Sequence, residues 1–247
     1  MAGWLKRHPF PVEAFFERSI VLTYATPRQG LQNLLPPCLT LDTFQDTHAF
    51  VAVAIVQTSG LRPAGFPRIL GRDFLLVGYR IFVRHTNRAG RRLRGLKILG
   101  SETNRRSMAV LGNLFTHYRY THTDIQLKDE QSRTTVRRDS TEWLVTIDRE
   151  PHETVPLPAG SPFASWSDAR KFAGPLPFTF SVPERSRQIV IIEGVRQNWS
   201  PRPVRVLEHR VPFVESLVDP GPTLASAFMI ENVPYRWKKG VVETWAH

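Results

Sequence analysis

Three stretches of this chain, residues 49–56, 74–83 and 188–195, are largely apolar at odd and even positions alike. A strand sends alternate side chains to opposite faces, so a strand that is apolar at both parities needs cover on both sides. All three runs fall well short of the roughly 20 apolar residues that a membrane-spanning helix requires. The 20 prolines of the chain concentrate between strand-like runs, as in a loop-rich β protein. A flat sheet with one wet face does not meet these demands.

Further strand-like segments cover residues 19–25, 39–44, 93–99, 117–127, 133–138, 142–147, 204–213 and 233–237. Thr26 can cap a helix with Pro27 at its first position, running through Leu31 to Leu35 and stopped by Pro36 and Pro37. Met108, Leu111 and Phe115 have helical spacing within residues 105–115, with Asn104 as the cap. Roughly nine strands and two or three short helices predict a mainly β or α+β fold. Its centre is an antiparallel sheet curled on itself, a barrel or a sandwich, enclosing a cavity. No internal repeat, low-complexity tract or linker divides the chain, so residues 1–247 read as a single domain.

Hydrophobic residues make up 41% of the chain and include 15 Phe and 6 Trp, which is enough for a sizeable core and excludes global disorder. The single cysteine, Cys38, cannot form an internal disulfide, and no apolar segment follows Lys6, Arg7 and His8 as it would in a secretory signal. The expected location is cytoplasmic. The 33 Lys and Arg against 22 Asp and Glu leave a net charge of +11, which attracts anions. The densest basic run, residues 84–97, carries Arg88, Arg91, Arg92 and Arg94 around Gly90 and Gly95. It reads as a solvated hairpin tip. Its use on nucleic acid or acidic lipid ranks behind, since the basic residues are not interleaved with aromatics.

Several chemistries are excluded by motif. There is no G-x-S-x-G elbow, no phosphate-binding loop and no dinucleotide fingerprint. His117 and His122 are five apart on an expected strand and point to opposite faces, and there is no cysteine cluster, so no metal and no cofactor are expected. The informative positions are polar residues inside apolar strands. Arg80 shares its parity with Phe74, Leu76 and Phe82, and a guanidinium there needs a carboxylate from the protein or from a ligand. Glu193 is its mirror case, on the parity of Ile189, Ile191 and Val195, and the two can neutralise one another. Lys97, between Leu96 and Ile98, is a candidate amine nucleophile if buried, or a snorkelling side chain if not. Glu102, Tyr118 and Tyr120 complete the polar groups that could converge on one cavity.

Residues 34–44, reading LLPPCLTLDTF, resemble the LPPGLxLDxFxG-like segment of the uncharacterised DUF2071 (YqjF-like) proteins. Residues 73–83 resemble that family's F-x-E-x-N-x-R-T-Y-V strand, and residues 193–201, from Glu193 to Trp199 and Pro201, resemble its Glu-plus-W-P segment. The likeness runs from about residue 15 to about residue 237 by eye. It implies the acetoacetate-decarboxylase-like fold, a curled β structure around an internal cavity. Decarboxylases of that fold use a buried lysine as a Schiff-base nucleophile. The corresponding segment here, residues 115–119, offers His117 and Tyr118 and no lysine. The family's strand glutamate and asparagine are replaced by Leu76 and Gly78, while Arg80 is retained.

The leading expectation is an internal pocket that binds or transforms a small anionic or oxygenated organic molecule. Arg80, Tyr118, Tyr120, Glu193 and Trp199 are its candidate ligand-binding residues. Lys97, Glu102, His117 and Tyr118 are the candidates for catalysis, and a homo-oligomer is left open. The alternatives are a Schiff-base, lyase-type enzyme using Lys97 and a basic interaction module using residues 84–97.

Overall fold

The computed structural model describes residues 4–150, 155–174, 176–183 and 186–245. Among these, the strands begin with β1 (Val12–Pro27), β2 (Thr40–Leu41), β3 (His48–Pro63), β4 (Arg72–Thr86) and β5 (Arg92–Thr103). The middle of the chain adds β6 (Tyr120–His122), β7 (Gln126–Glu130), β8 (Arg133–Arg137), β9 (Leu144–Asp148) and β10 (Phe178–Ser181). The last strands are β11 (Gln188–Arg196), β12 (Arg202–Pro203), β13 (Arg205–Arg210), β14 (Thr223–Trp237) and β15 (Val241–Thr244). The helices are α1 (Gln29–Gln32), α2 (Arg106–Phe115), α3 (Trp166–Ala173) and α4 (Pro212–Glu215).

An 11-stranded sheet runs in the order β12-β14-β1-β3-β4-β5-β10-β11-β15, with β2 added on β4 and β6 on β5. Residues 194–196 of β11 also pair with residues 235–237 of β14, so the sheet curls back on itself and encloses a space. The sheet is mixed rather than purely antiparallel, because β10 and β6 both lie parallel to β5. Parallel neighbours need a crossover, and α2 supplies it between β5 and β6. A second sheet of four strands, β13-β9-β8-β7, covers the outside of the first.

The doubly apolar strands acquire their two coverings in this way. One parity, including Leu22, Val53, Ile55, Val77, Tyr79 and Ile81, packs against Val136, Trp143, Val145 and Ile147 from the smaller-sheet segment. The other parity faces inward. There Phe50, Ala52 and Phe82 pack with Phe163 and Ala169 near α3, while Ala54, Val56, Phe16 and Val233 lie farther along the same face.

Three local expectations are corrected by the pairing. Thr26 and Pro27 stay in β1, opposite Ala49 and His48, and the helix that follows is a single turn. The ladder outweighs the local capping preference there. Asn104 does not cap α2; its side-chain oxygen accepts from the backbone N–H of Leu75 at 2.9 Å and ties the helix start to β4. The last long strand begins at Thr223 rather than near residue 233, since the run around Leu224 to Ile230 pairs with β1, with one register shift between Thr23 and Tyr24. At the tip of the β4–β5 hairpin, Arg84 and Arg94 converge on the fully buried Asp42, at 2.5 and 2.7 Å, while Arg91 and Arg92 are exposed.

Candidate ligand-binding site

The inward face of the curled sheet, α2 and residues 8–10 enclose a cavity of about 400 Å³. Arg80 points into it from β4, in the row of Ala52 and Ile98. The neighbouring residue on that face, Gly78, leaves room for the guanidinium to fold over it. A Cβ at Gly78 would stand 3.0 Å from Arg80 Nε and 3.1 Å from Nη2. Arg80 lies deep inside the protein, and the surface it keeps accessible faces the cavity. Its Nε is buried without a hydrogen-bond partner. Burial lowers its pKa, and the phenols of Tyr235, Tyr120 and Tyr118 act in the opposite sense.

A second guanidinium, Arg196, enters from the end of β11 and lies 4.0 Å from the ring centroid of Trp199 and 5.9 Å from that of Tyr235. Burial lowers its pKa; Tyr235 raises it and Arg80 lowers it further. Arginine remains a cation even so, because its ordinary pKa is far above neutrality. The site therefore concentrates two positive charges.

The tyrosines reach the cavity from the segment after α2. Asn113 clamps the backbone of Tyr120 at both groups: its Nδ2 donates to Tyr120 O and its Oδ1 accepts from Tyr120 N, each at 2.8 Å. Gly112 makes room for the ring, since a Cβ there would overlap it. Burial pushes the Tyr120 phenol up to about 12 and the Tyr118 phenol higher still, so both act as neutral donors. Thr179 lies beside Tyr118 without closing a hydrogen bond of ordinary geometry to its hydroxyl. His8, also on the lining, is buried, and burial pulls its pKa down to about 4.

Five buried polar atoms without partners belong to lining residues: Arg80 Nε, Tyr118 Oη, Trp199 Nε1, Thr58 Oγ1 and His8 Nδ1. Four of these can only or readily donate, the arginine and indole N–H groups and the two hydroxyls, which suits a ligand rich in acceptors. Among the described lining residues there is no Lys, Asp, Glu or Cys. The arrangement can hold and polarise an oxygen-rich group, with no amine nucleophile and no carboxylate base at hand. Among the described residues no cluster of three His, Cys, Asp or Glu side chains forms a metal cage.

Of the residues singled out in the sequence, Arg80, Tyr118, Tyr120 and Trp199 come together on this cavity. Glu193 sits on the other face of β11, where its carboxylate accepts from Lys238 Nζ at 2.9 Å. Glu102 also faces away, because a register shift between Tyr79 and Arg80 moves the facing parity of β5 from Ile98 to Ser101. Its carboxylate meets Arg138 and the hydroxyl of Tyr79. Lys97 lies between two lining residues, Leu96 and Ile98, and projects from the opposite face; burial lowers its pKa, and the charge of Arg119 adds to that. His117 is off the lining, close to the charges of Lys6 and Arg7. Sequence reasoning passed over Arg196, although it lies in the quoted 193–201 segment one residue beyond the expected strand end. Tyr235 was likewise inside an expected strand.

A family model, DUF2071, described as an uncharacterized conserved protein, matches residues 14–215. The chain belongs to the DUF2071 family. No curated protein matches it. Solved structures give the fold. Acetoacetate decarboxylase from Legionella pneumophila superposes with a TM-score of 0.64 at 13% identity, covering 96% of this chain and 88% of that one. The enduracididine biosynthesis enzyme MppR, complexed with pyruvate, gives 0.56 at 8% identity over 95% and 90% of the two chains. An acetoacetate decarboxylase-like enzyme from Sphingomonas wittichii gives 0.58 at 12%, over 97% and 94%. This DUF2071 chain therefore has the acetoacetate-decarboxylase-like fold.

Proposed function

We propose that the cavity binds an oxygen-rich organic anion, its carboxylate held by Arg80 and Arg196 and its remaining oxygens met by Tyr118 and Tyr120. The observation that carries this reading is the buried Arg80 guanidinium on the cavity wall, which has phenols around it and no carboxylate partner among the described residues. A buried guanidinium with no counter-charge costs several kcal/mol, and a carboxylate bound in its two-pronged fork offsets that cost. The likeness to MppR, solved with pyruvate, supports an organic acid as the ligand class. A covalent amine mechanism fits poorly, since the described lining holds no lysine.

Calorimetric titration with pyruvate and hexanoate, each beside its neutral amide, tests the reading. At least one acid is expected to bind at least about tenfold more tightly than its amide, an advantage that Arg80→Gln removes. Equal affinity for acid and amide, or an acid preference untouched by Arg80→Gln, would overturn it.

A further inference from the structure

The polar groups around Arg80 share the cavity with a long, mostly apolar wall, and Thr58 beside Phe74, Arg62 and Arg72 are the polar residues toward its other end. From Arg80 the inward face of β4 runs back through Gly78, Leu76 and Phe74 to Arg72, which is exposed. At about 3.3 Å per residue, the wall from Arg80 to Phe74 extends roughly 20 Å. Val56 on β3 stands beside Leu76 in this wall, and Met108 and Leu111 of α2 also line the cavity. Beside Arg72, Leu111 is the other exposed lining residue among those described. Ile69 and Leu70, just before β4, and Val110 and Leu114 of α2 are exposed as well.

Volume decides how much ligand this space takes. A cavity of roughly 150 Å³ accommodates benzene, a six-carbon body. The cavity here, about 400 Å³, is more than twice that, and a three-carbon acid would leave most of its apolar wall without contacts. We infer that the ligand is an amphiphilic acid, its charged end joined to an apolar acyl or aryl body of on the order of ten carbons. This inference rests on the anion reading above, and adds that the apolar body lies along β4 toward Arg72.

A titration series of butyrate, hexanoate, octanoate and decanoate, kept below the concentrations at which they aggregate, tests it. Affinity is expected to rise roughly fourfold for each added methylene, the factor set by burying one CH₂ group. A flat series in which the acids still outbind their amides overturns the amphiphile inference and leaves the anion reading standing. Decanoate binding no better than decanamide overturns the anion reading itself. Leu76→Trp, which fills the apolar wall, should weaken decanoate by about tenfold or more and leave butyrate within about threefold. Equal loss of both acids in a variant that melts like the parent would also sink the inference, and the series on the unaltered protein decides the matter if that variant does not fold.

Discussion

Arg138 and Arg80 place guanidinium groups on opposite sides of the same two strands, β4 and β5, and their surroundings differ in kind. Arg138 meets the carboxylate of Glu102, and its Nη2 also donates to the hydroxyl of Tyr79 at 3.1 Å. That hydroxyl donates in turn to Glu102 at 3.2 Å and accepts from Trp143 Nε1 at 2.9 Å. An Nε without a hydrogen-bond partner is common to both, but Arg80 has tyrosines and a second arginine around it and, among the described residues, no carboxylate. A buried cation that serves the fold comes with its counter-charge. One left without it marks a place where a counter-charge is to be brought in.

The sharpest way to break this comparison is Glu102→Gln. Both Glu102 and Arg138 are largely buried, at 14% and 13% side-chain exposure, so solvent screens the pair little. Removing the carboxylate leaves Arg138 without compensation and should cost about 4 kcal/mol in urea unfolding. A loss below about 1 kcal/mol would show that the paired side contributes no more than a surface ion pair.

His8 extends the comparison on the cavity side, as a buried group kept neutral for lack of an anion. Its folded pKa, about 4, lies below the unfolded value of 6.5. Between those two values the unfolded chain takes up a proton that the folded chain refuses. The contribution is therefore complete above pH 6.5 and is lost as the pH falls toward 4, on the order of 3 kcal/mol in all. Melting temperature followed from pH 7 to pH 4 should fall less steeply in His8→Gln than in the parent. His117 and His209, whose pKa values burial also lowers, remain in both proteins and cancel in the difference. Parallel curves would remove His8 from the account.

The smallest expected effect has the opposite sign. Arg80→Met deletes an unpaired buried charge but also its favourable interactions with the three tyrosine phenols, so the ligand-free protein should be unchanged or more stable by up to about 1 kcal/mol. Its affinity for organic acids should nevertheless be lost. Destabilisation comparable to that of Glu102→Gln would show that Arg80 is held by the fold in the same way as Arg138.

Much of the architecture was legible along the chain because strand runs apolar at both parities demand two coverings, and the structure supplies them with the smaller sheet outside and the cavity and α3 region inside. What escaped were short strands such as β10, β12 and β15, too brief to show a clear period, and the parallel placement of β6 and β10. Within the candidate site, the anomaly of Arg80 was visible because a charge in an apolar run is conspicuous in one dimension. Glu193 and Lys97 were equally conspicuous, yet they project from the opposite faces of their strands.

The sequence by itself determined that the sheet is covered on both faces and that a guanidinium lies inside one of its strands, since alternation and burial cost follow from local order. Which polar residues share a space was decided by tertiary structure alone. One register shift in β5 turns Glu102 outward and Ser101 inward, and the meeting of β11 with β14 brings Arg196 and Tyr235 to Arg80. Pairing across distant segments sets which face each side chain occupies, and a displacement of one residue reverses it.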